Sequence, residues 1–234
     1  MTAPKNFKEV IIMTKSNTRL KMVCSLAMLT AVAIICDLFL RIPNIGGFLT
    51  YEPKDVILVI GAFIYGPIAG LVMALVVCLV EMVTISTTGF IGLLMNFLAS
   101  AVFLGVSSVI YHRNKKMSRA IIGLIAGSLS MIILMLLWNY IMTPIYMGVP
   151  RQAVLDMFLP LLIPFNALKA GLNTALVLFL YKGVVTALRK TGLVAERESY
   201  ENANKKSNTI ILVVISAVIV ATLLLVLLMF AKIL

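Results

Sequence analysis

Charged side chains are scarce in this sequence. Asp, Glu, Lys and Arg make up 12% of its 234 residues, against about 25% in an average soluble domain. Histidine occurs once, at His112, in a basic stretch, and Cys24, Cys36 and Cys78 all lie in apolar segments. No Cys/His cluster therefore has the spacing of a metal site, and the cysteines read as small hydrophobes. With one loop histidine, no Ser/His/Asp arrangement is credible. A GxxxxGK[ST] loop is missing, which excludes ATP binding through a Walker motif. No series of carboxylates within the apolar runs suggests a proton relay; Glu81 stands alone. Strict polar–apolar alternation is absent too. The apolar stretches run on for about 20 residues, which disfavours a β-barrel. These absences leave little room for an enzyme.

What the chain does have is hydrocarbon. It is 62% hydrophobic, with a mean hydropathy of +1.09. That composition predicts an all-α polytopic membrane protein. The net charge of +11 would raise nucleic acid as a partner for a soluble protein. Here the enrichment of basic residues on the inner side of membranes explains it better, and no nucleic-acid partner is expected.

Hydropathy and breaker residues predict seven spans: 22–40, a short one at 55–65, then 68–85, 90–111, 120–142, 159–181 and 209–231. Gly66-Pro67 separates the second from the third, and Thr143-Pro144 ends the fifth. Residues 1–21 form a basic N-terminal segment, and the first span reads as an uncleaved anchor. Residues 22–182 form the membrane domain, 183–208 a charged linker and 209–231 an additional helix. With the N-terminus inside, 15 of the 20 lysines and arginines fall on inner segments, and an odd number of spans leaves the C-terminus outside. Lys54, Arg41 and Arg151 fall outside or near the outer interface. The outer connections 41–54 and 142–160 hold Pro, Gly and aromatics, a composition able to fold back as a lid.

The most informative residue is Lys169. It lies within an apolar run and shares a helix face with Asn166 and Asn173, at spacings of three and four. An ammonium at bilayer depth costs several kcal/mol unless it meets water, a partner or a ligand. Asn139 falls near the outer end of the fifth span, and the stretch Phe48-Leu49-Thr50-Tyr51-Glu52 lies in the first outer connection. These elements can converge on an outward pocket with aromatic and aliphatic walls, carboxamides and one cation. A planar heteroaromatic ligand with amide-like edges fits that inventory. The competing reading is that the asparagines only bond helix to helix. Asp37 and Glu81, near the outer ends of their spans, either bind ligand or pair with Arg41. Trp138 and Tyr140 read as interfacial aromatics. Ala27 and Ala31 give a small-xxx-small spacing, which lets another helix approach closely, inside the molecule or outside it.

Four strings, in order, carry a family resemblance: FLTYEPKDVILVIGAFIYGPIAG, TGFIGLLMNFLAS, LLWNYIMTPIYMGVPRQAV and LLIPFNALKAGLN. Over about residues 20–190 the chain resembles the riboflavin-specific substrate-binding (S) components of energy-coupling factor (ECF) transporters, the RibU type. The resemblance implies a six-helix core with one outward site, to which 209–231 adds a seventh helix. It implies that Asn139, Asn166 and Lys169 contact riboflavin while Leu49, Thr50 and Glu52 close over it. Riboflavin would be the transported ligand, with no resident cofactor. It further implies a membrane coupling subunit, met by Ala27 and Ala31, and two ATPases, in the cell membrane of a prokaryote. Another flavin such as FMN, another vitamin, and a non-transporting scaffold are the alternatives.

Overall fold

The computed structural model describes residues 7–45, 49–86 and 88–191. Phe48, the linker residues 192–208 and the predicted helix 209–231 lie outside the described residues. Helix α1 spans Phe7–Leu40, followed by the strands β1 (Ile42–Ile45) and β2 (Leu49–Tyr51). Then come α2 (Lys54–Tyr65), α3 (Pro67–Thr84), α4 (Gly89–His112), α5 (Met117–Met147), α6 (Arg151–Asp156), a π-helical segment (Phe158–Leu162) and α7 (Ile163–Lys190). Among the described residues, five helical stretches are long and apolar enough to cross a membrane. The 12-residue α2 is too short to do so.

Helix α2 is the hub. It packs against α1, α3, α4 and α7, and every residue from Lys54 to Phe63 is buried. Its sequence is apolar nearly all round, as a central helix requires. Helix α1 instead buries one narrow stripe, Ser25, Leu29, Ala33 and Asp37, at the four-residue spacing of a helix face. Its remaining surface carries exposed Val23, Met28, Val32 and Ile35, the pattern of a helix that meets lipid or another membrane protein. Between α2 and α3, Gly66 takes φ 103°, and Pro67 opens the new helix. Small residues set the closest contacts. A Cβ on Gly123 or Gly127 would come within 2.6 Å of the carbonyl oxygens of Ser107 and Phe103, respectively, so only glycine lets α5 lie this close to α4.

The bundle has two distinct ends. One carries the antiparallel β1–β2 hairpin, and the other the basic turn between α4 and α5. At the hairpin end, Leu49 packs with Val154, Leu162 and Phe165, so both long connections fold over the helices.

Three expectations need correction. The first connection, for which no strand was expected, carries a two-stranded ribbon, Ile42–Ile45 against Leu49–Tyr51. Helix α5 does not stop at Thr143-Pro144. It runs through Pro144 to Met147 and ends at Gly148 with φ 66°, a left-handed cap. Proline removes one helical hydrogen bond, which membrane helices tolerate where neighbouring groups compensate. Finally, Lys54, expected outside or near the outer interface, is not solvated: it is fully buried, and carboxylates from three elements surround it. The last helix also starts late and ends late: a π-helical turn containing Pro160 precedes it, and it continues to Lys190 with Val185 and Leu188 buried.

Candidate ligand site at the hairpin end

A cavity of about 650 Å³, including its open mouth, lies beneath the hairpin. Leu49, Thr50 and Glu52 line it from the connection, Met131, Met135 and Asn139 from α5, and Phe165, Asn166 and Lys169 from the start of α7. All six residues expected at the site therefore face one space. A wider hollow of about 1130 Å³ adjoins it through Arg41, Thr50, Thr88, Met95 and Asn139, and adds Trp138 and Tyr146 as aromatic walls. The lining joins methionine and aromatic surface to a few placed polar groups, the usual make-up of a small-molecule site.

The carboxamides of Asn139 and Asn166 are held by groups four positions away along the chain. Asn139 Nδ2 donates to the Met135 carbonyl at 2.7 Å, and its Oδ1 accepts from Thr143 Oγ1 at 2.9 Å. Asn166 Nδ2 donates to the Leu162 carbonyl at 2.8 Å. Such anchoring presets the amide orientation before a ligand arrives.

Lys169 is compensated by protein. Its Nζ lies 3.1 Å from Glu52 Oε2 and 3.9 Å from Asp55 Oδ2. The expectation that a lone ammonium waits for ligand acceptors is thus revised: an ion pair across the chain meets its cost, and a ligand would join an existing pair. Glu52 is the junction. It also accepts from Asn96 Nδ2 at 2.9 Å and faces Lys54 at 3.3 Å and Arg41 at 3.9 Å. Burial alone would raise the Glu52 pKa, but Lys54 and Lys169 outweigh it and hold the carboxyl well below the usual range. Tyr51 is pushed up to about 12 by burial and by the nearby Asp55 charge. It stays a neutral donor, to Asn173 Oδ1 at 3.1 Å.

Glu81 contacts Lys54 directly, accepts from Asn96 Nδ2 at 2.6 Å and faces Arg41 at 3.8 Å. Of its two expected roles, ligand binding or pairing with Arg41, the pairing is the one the side-chain contacts supply. Asp37 pairs with Lys54 instead, at 3.6 Å. Asn173 shares the helix face of Lys169 but turns to Tyr51 and to Asp55, 3.4 Å away. Sequence reasoning missed Lys54, Asp55 and Asn96. The available signal was the Glu-Pro-Lys-Asp string at 52–55, three charges set against an apolar helix. Ala27 and Ala31 do not line this cavity and, among the described residues, are exposed on α1.

Comparison with known proteins agrees with this architecture. The model of the ECF transporter substrate-specific component matches residues 21–181. The riboflavin transporter RibU of Staphylococcus aureus (strain TCH60) is 29% identical over 178 residues, which cover 73% of this chain and 93% of its own. A solved S component of a bacterial ECF transporter superposes with a TM-score of 0.61 at 30% sequence identity, over 73% of this chain and 99% of that one. With most of its length matched, this chain belongs to the substrate-specific components of ECF transporters.

Proposed function

We propose that this chain is the riboflavin-binding subunit of an ECF vitamin importer, which captures riboflavin at the hairpin end, outside the cell, and releases it inside. The observation that carries this reading is the convergence of Asn139, Asn166, Lys169 and Glu52 on one cavity beneath Leu49 and Thr50. A flavin ring presents carbonyl acceptors and an N–H donor on one edge, which carboxamides, an ammonium and a carboxylate can satisfy. Met131, Met135 and Phe165 offer the apolar wall for the remainder. The likeness to RibU supports the same ligand. FMN is disfavoured, because Arg41, the additional cation at the cavity, already faces Glu52 and Glu81.

Energy for uptake comes from partners: a membrane coupling subunit docking on the exposed Ala27–Ala31 face of α1, and two ATPases. The basic distribution supports an N-terminus inside the cell.

Fluorescence titration of the purified protein with riboflavin and FMN tests the ligand. Saturable quenching with preference for riboflavin is expected, and folded protein that leaves riboflavin fluorescence unchanged refutes the reading. For the partner face, replacing Ala27 and Ala31 by tryptophan is expected to abolish uptake and leave binding intact. Lost binding would instead place these residues in the core.

A further inference from the structure

Lys54 plays no part in the capture reading above, yet it is fully buried at the first position of α2. Its ammonium contacts Glu81, lies 3.3 Å from Glu52 and lies 3.6 Å from Asp37. Three elements, α1, the connection before α2, and α3, thus meet at one cation. Lys54 does not line the cavity, whereas Glu52, Asn96 and Lys169 do. An ammonium behind the wall therefore faces the carboxylate that forms the wall.

The charge balance shows what this cation does. Among the described residues, the network sets Arg41, Lys54 and Lys169 against Asp37, Glu52, Asp55 and Glu81. Both Asp37 oxygens lack a hydrogen-bond partner, so the charge of Lys54 is their compensation. Without Lys54, two cations would face four carboxylates, in a site where removing one ion leaves its partners uncompensated. Asp37, Asp55 and Glu81 are carried by helices, but Glu52 lies between β2 and α2. Glu52 is the carboxylate with the freest backbone, and it is the one that would swing away.

We propose that Lys54 is a positioning residue of the ligand site: it touches no ligand and holds the Glu52 carboxylate at the cavity wall beside Lys169. The proposal rests on the reading that the cavity takes a flavin. It differs from a packing role because it depends on charge balance. The ionisable groups facing the cluster are Cys36, Asp37 and Arg41 at the end of α1, Tyr51 and Glu52 from the connection, Asp55 on α2, Cys78 and Glu81 on α3, and Lys169 on α7.

The test is riboflavin titration of the full chain in detergent, wild type first. No binding by folded wild type sinks the flavin reading before any variant is compared. Given wild-type binding, Lys54→Met is expected to weaken affinity on the order of tenfold to a hundredfold at neutral pH. That deficit should narrow toward about pH 5, as a surplus carboxylate takes up a proton. K54M/E81Q, with two cations facing three carboxylates, restores the original imbalance and should recover most of the affinity. Wild-type affinity in K54M overturns the proposal. So does a double variant that folds but stays as weak as K54M. If K54M alone does not fold, Lys54→Gln, which removes the charge and keeps a polar side chain, takes its place: a tenfold or larger loss of affinity supports the assignment, and wild-type affinity overturns it.

Discussion

At the hairpin end the helices meet through Asp37, Arg41, Glu52, Lys54, Asp55, Glu81 and Lys169, all of them charged. At the basic end they meet through rings. Phe63 stacks on Tyr111 with centroids 4.5 Å apart, and Tyr181 meets both edge-on. The Tyr111 and Tyr181 hydroxyls are 2.8 Å apart, and His112 Nε2 lies 3.1 Å from the Ala62 carbonyl at the end of α2. The central helix α2 is therefore gripped by ions where it begins and by aromatic contact where it ends. Ion networks enclose a polar cavity and can exchange partners with a ligand. Packed rings with satisfied hydroxyls leave nothing for a ligand to replace. The contrast supports the proposed division, binding at one end and sealing at the other, and mutations can test it.

The largest effect is expected at Lys169. Lys169→Met leaves Glu52 and Asp55 short of a cation in a buried site and removes a cationic donor from the cavity lining. Removing one member of a buried charge pair typically costs about 3–5 kcal/mol. Riboflavin affinity should fall accordingly in a fluorescence titration. Unchanged affinity would make Lys169 a purely structural cation and break the assignment of binding to the hairpin end.

Phe63→Ala tests the other end. The ring is 3% exposed, and truncating a buried phenylalanine costs about 3–5 kcal/mol of stability. Thermal unfolding in detergent should report that loss, while the affinity of the protein that remains folded stays within about twofold, since Phe63 does not line the cavity. A large affinity loss in folded F63A would show that the two ends are coupled through α2, and the division of labour would fail.

The same contrast explains what was legible in the sequence. Long apolar runs gave the helices, and Gly66-Pro67 gave the break after α2, because both signals are local. Asn139, Asn166 and Lys169 were legible as candidates because polar groups in hydrocarbon demand a reason, the 49–52 stretch from its place in the first outer connection and the family resemblance, and all of them line one cavity. The compensation of Lys169 was not legible, since its partners are 117 and 114 positions away, at Glu52 and Asp55. Lys54 was misplaced for a related reason. A lysine flanking an apolar helix ordinarily snorkels to the interface, and only the fold brings Asp37 and Glu81 around it. The ribbon at 42–51 was hidden because Pro43 and the glycines at 46–47 read as irregular loop. The passage of α5 through Pro144 broke a local rule that tertiary packing overrode.

The smallest effect concerns pH, and it sharpens the comparison by sign. The folded Glu52 carboxyl is held below its unfolded value of about 4.3 by Lys54 and Lys169, against the opposing effect of burial. A depressed carboxylate contributes stability that is fully present above the unfolded pKa and is lost as pH falls toward the folded one. The stability difference between Glu81→Gln and E52Q/E81Q, a background in which the neighbouring Glu81 carboxyl no longer titrates, should therefore stay level from about pH 8 to about pH 5 and shrink only below about pH 4. Thermal unfolding of both proteins across that range measures it. A gap that already closes between pH 8 and pH 5 would mean that Glu52 takes up its proton near neutrality. The two lysines would then not control it, and the ion grip on the start of α2 would be weaker than the ring grip on its end.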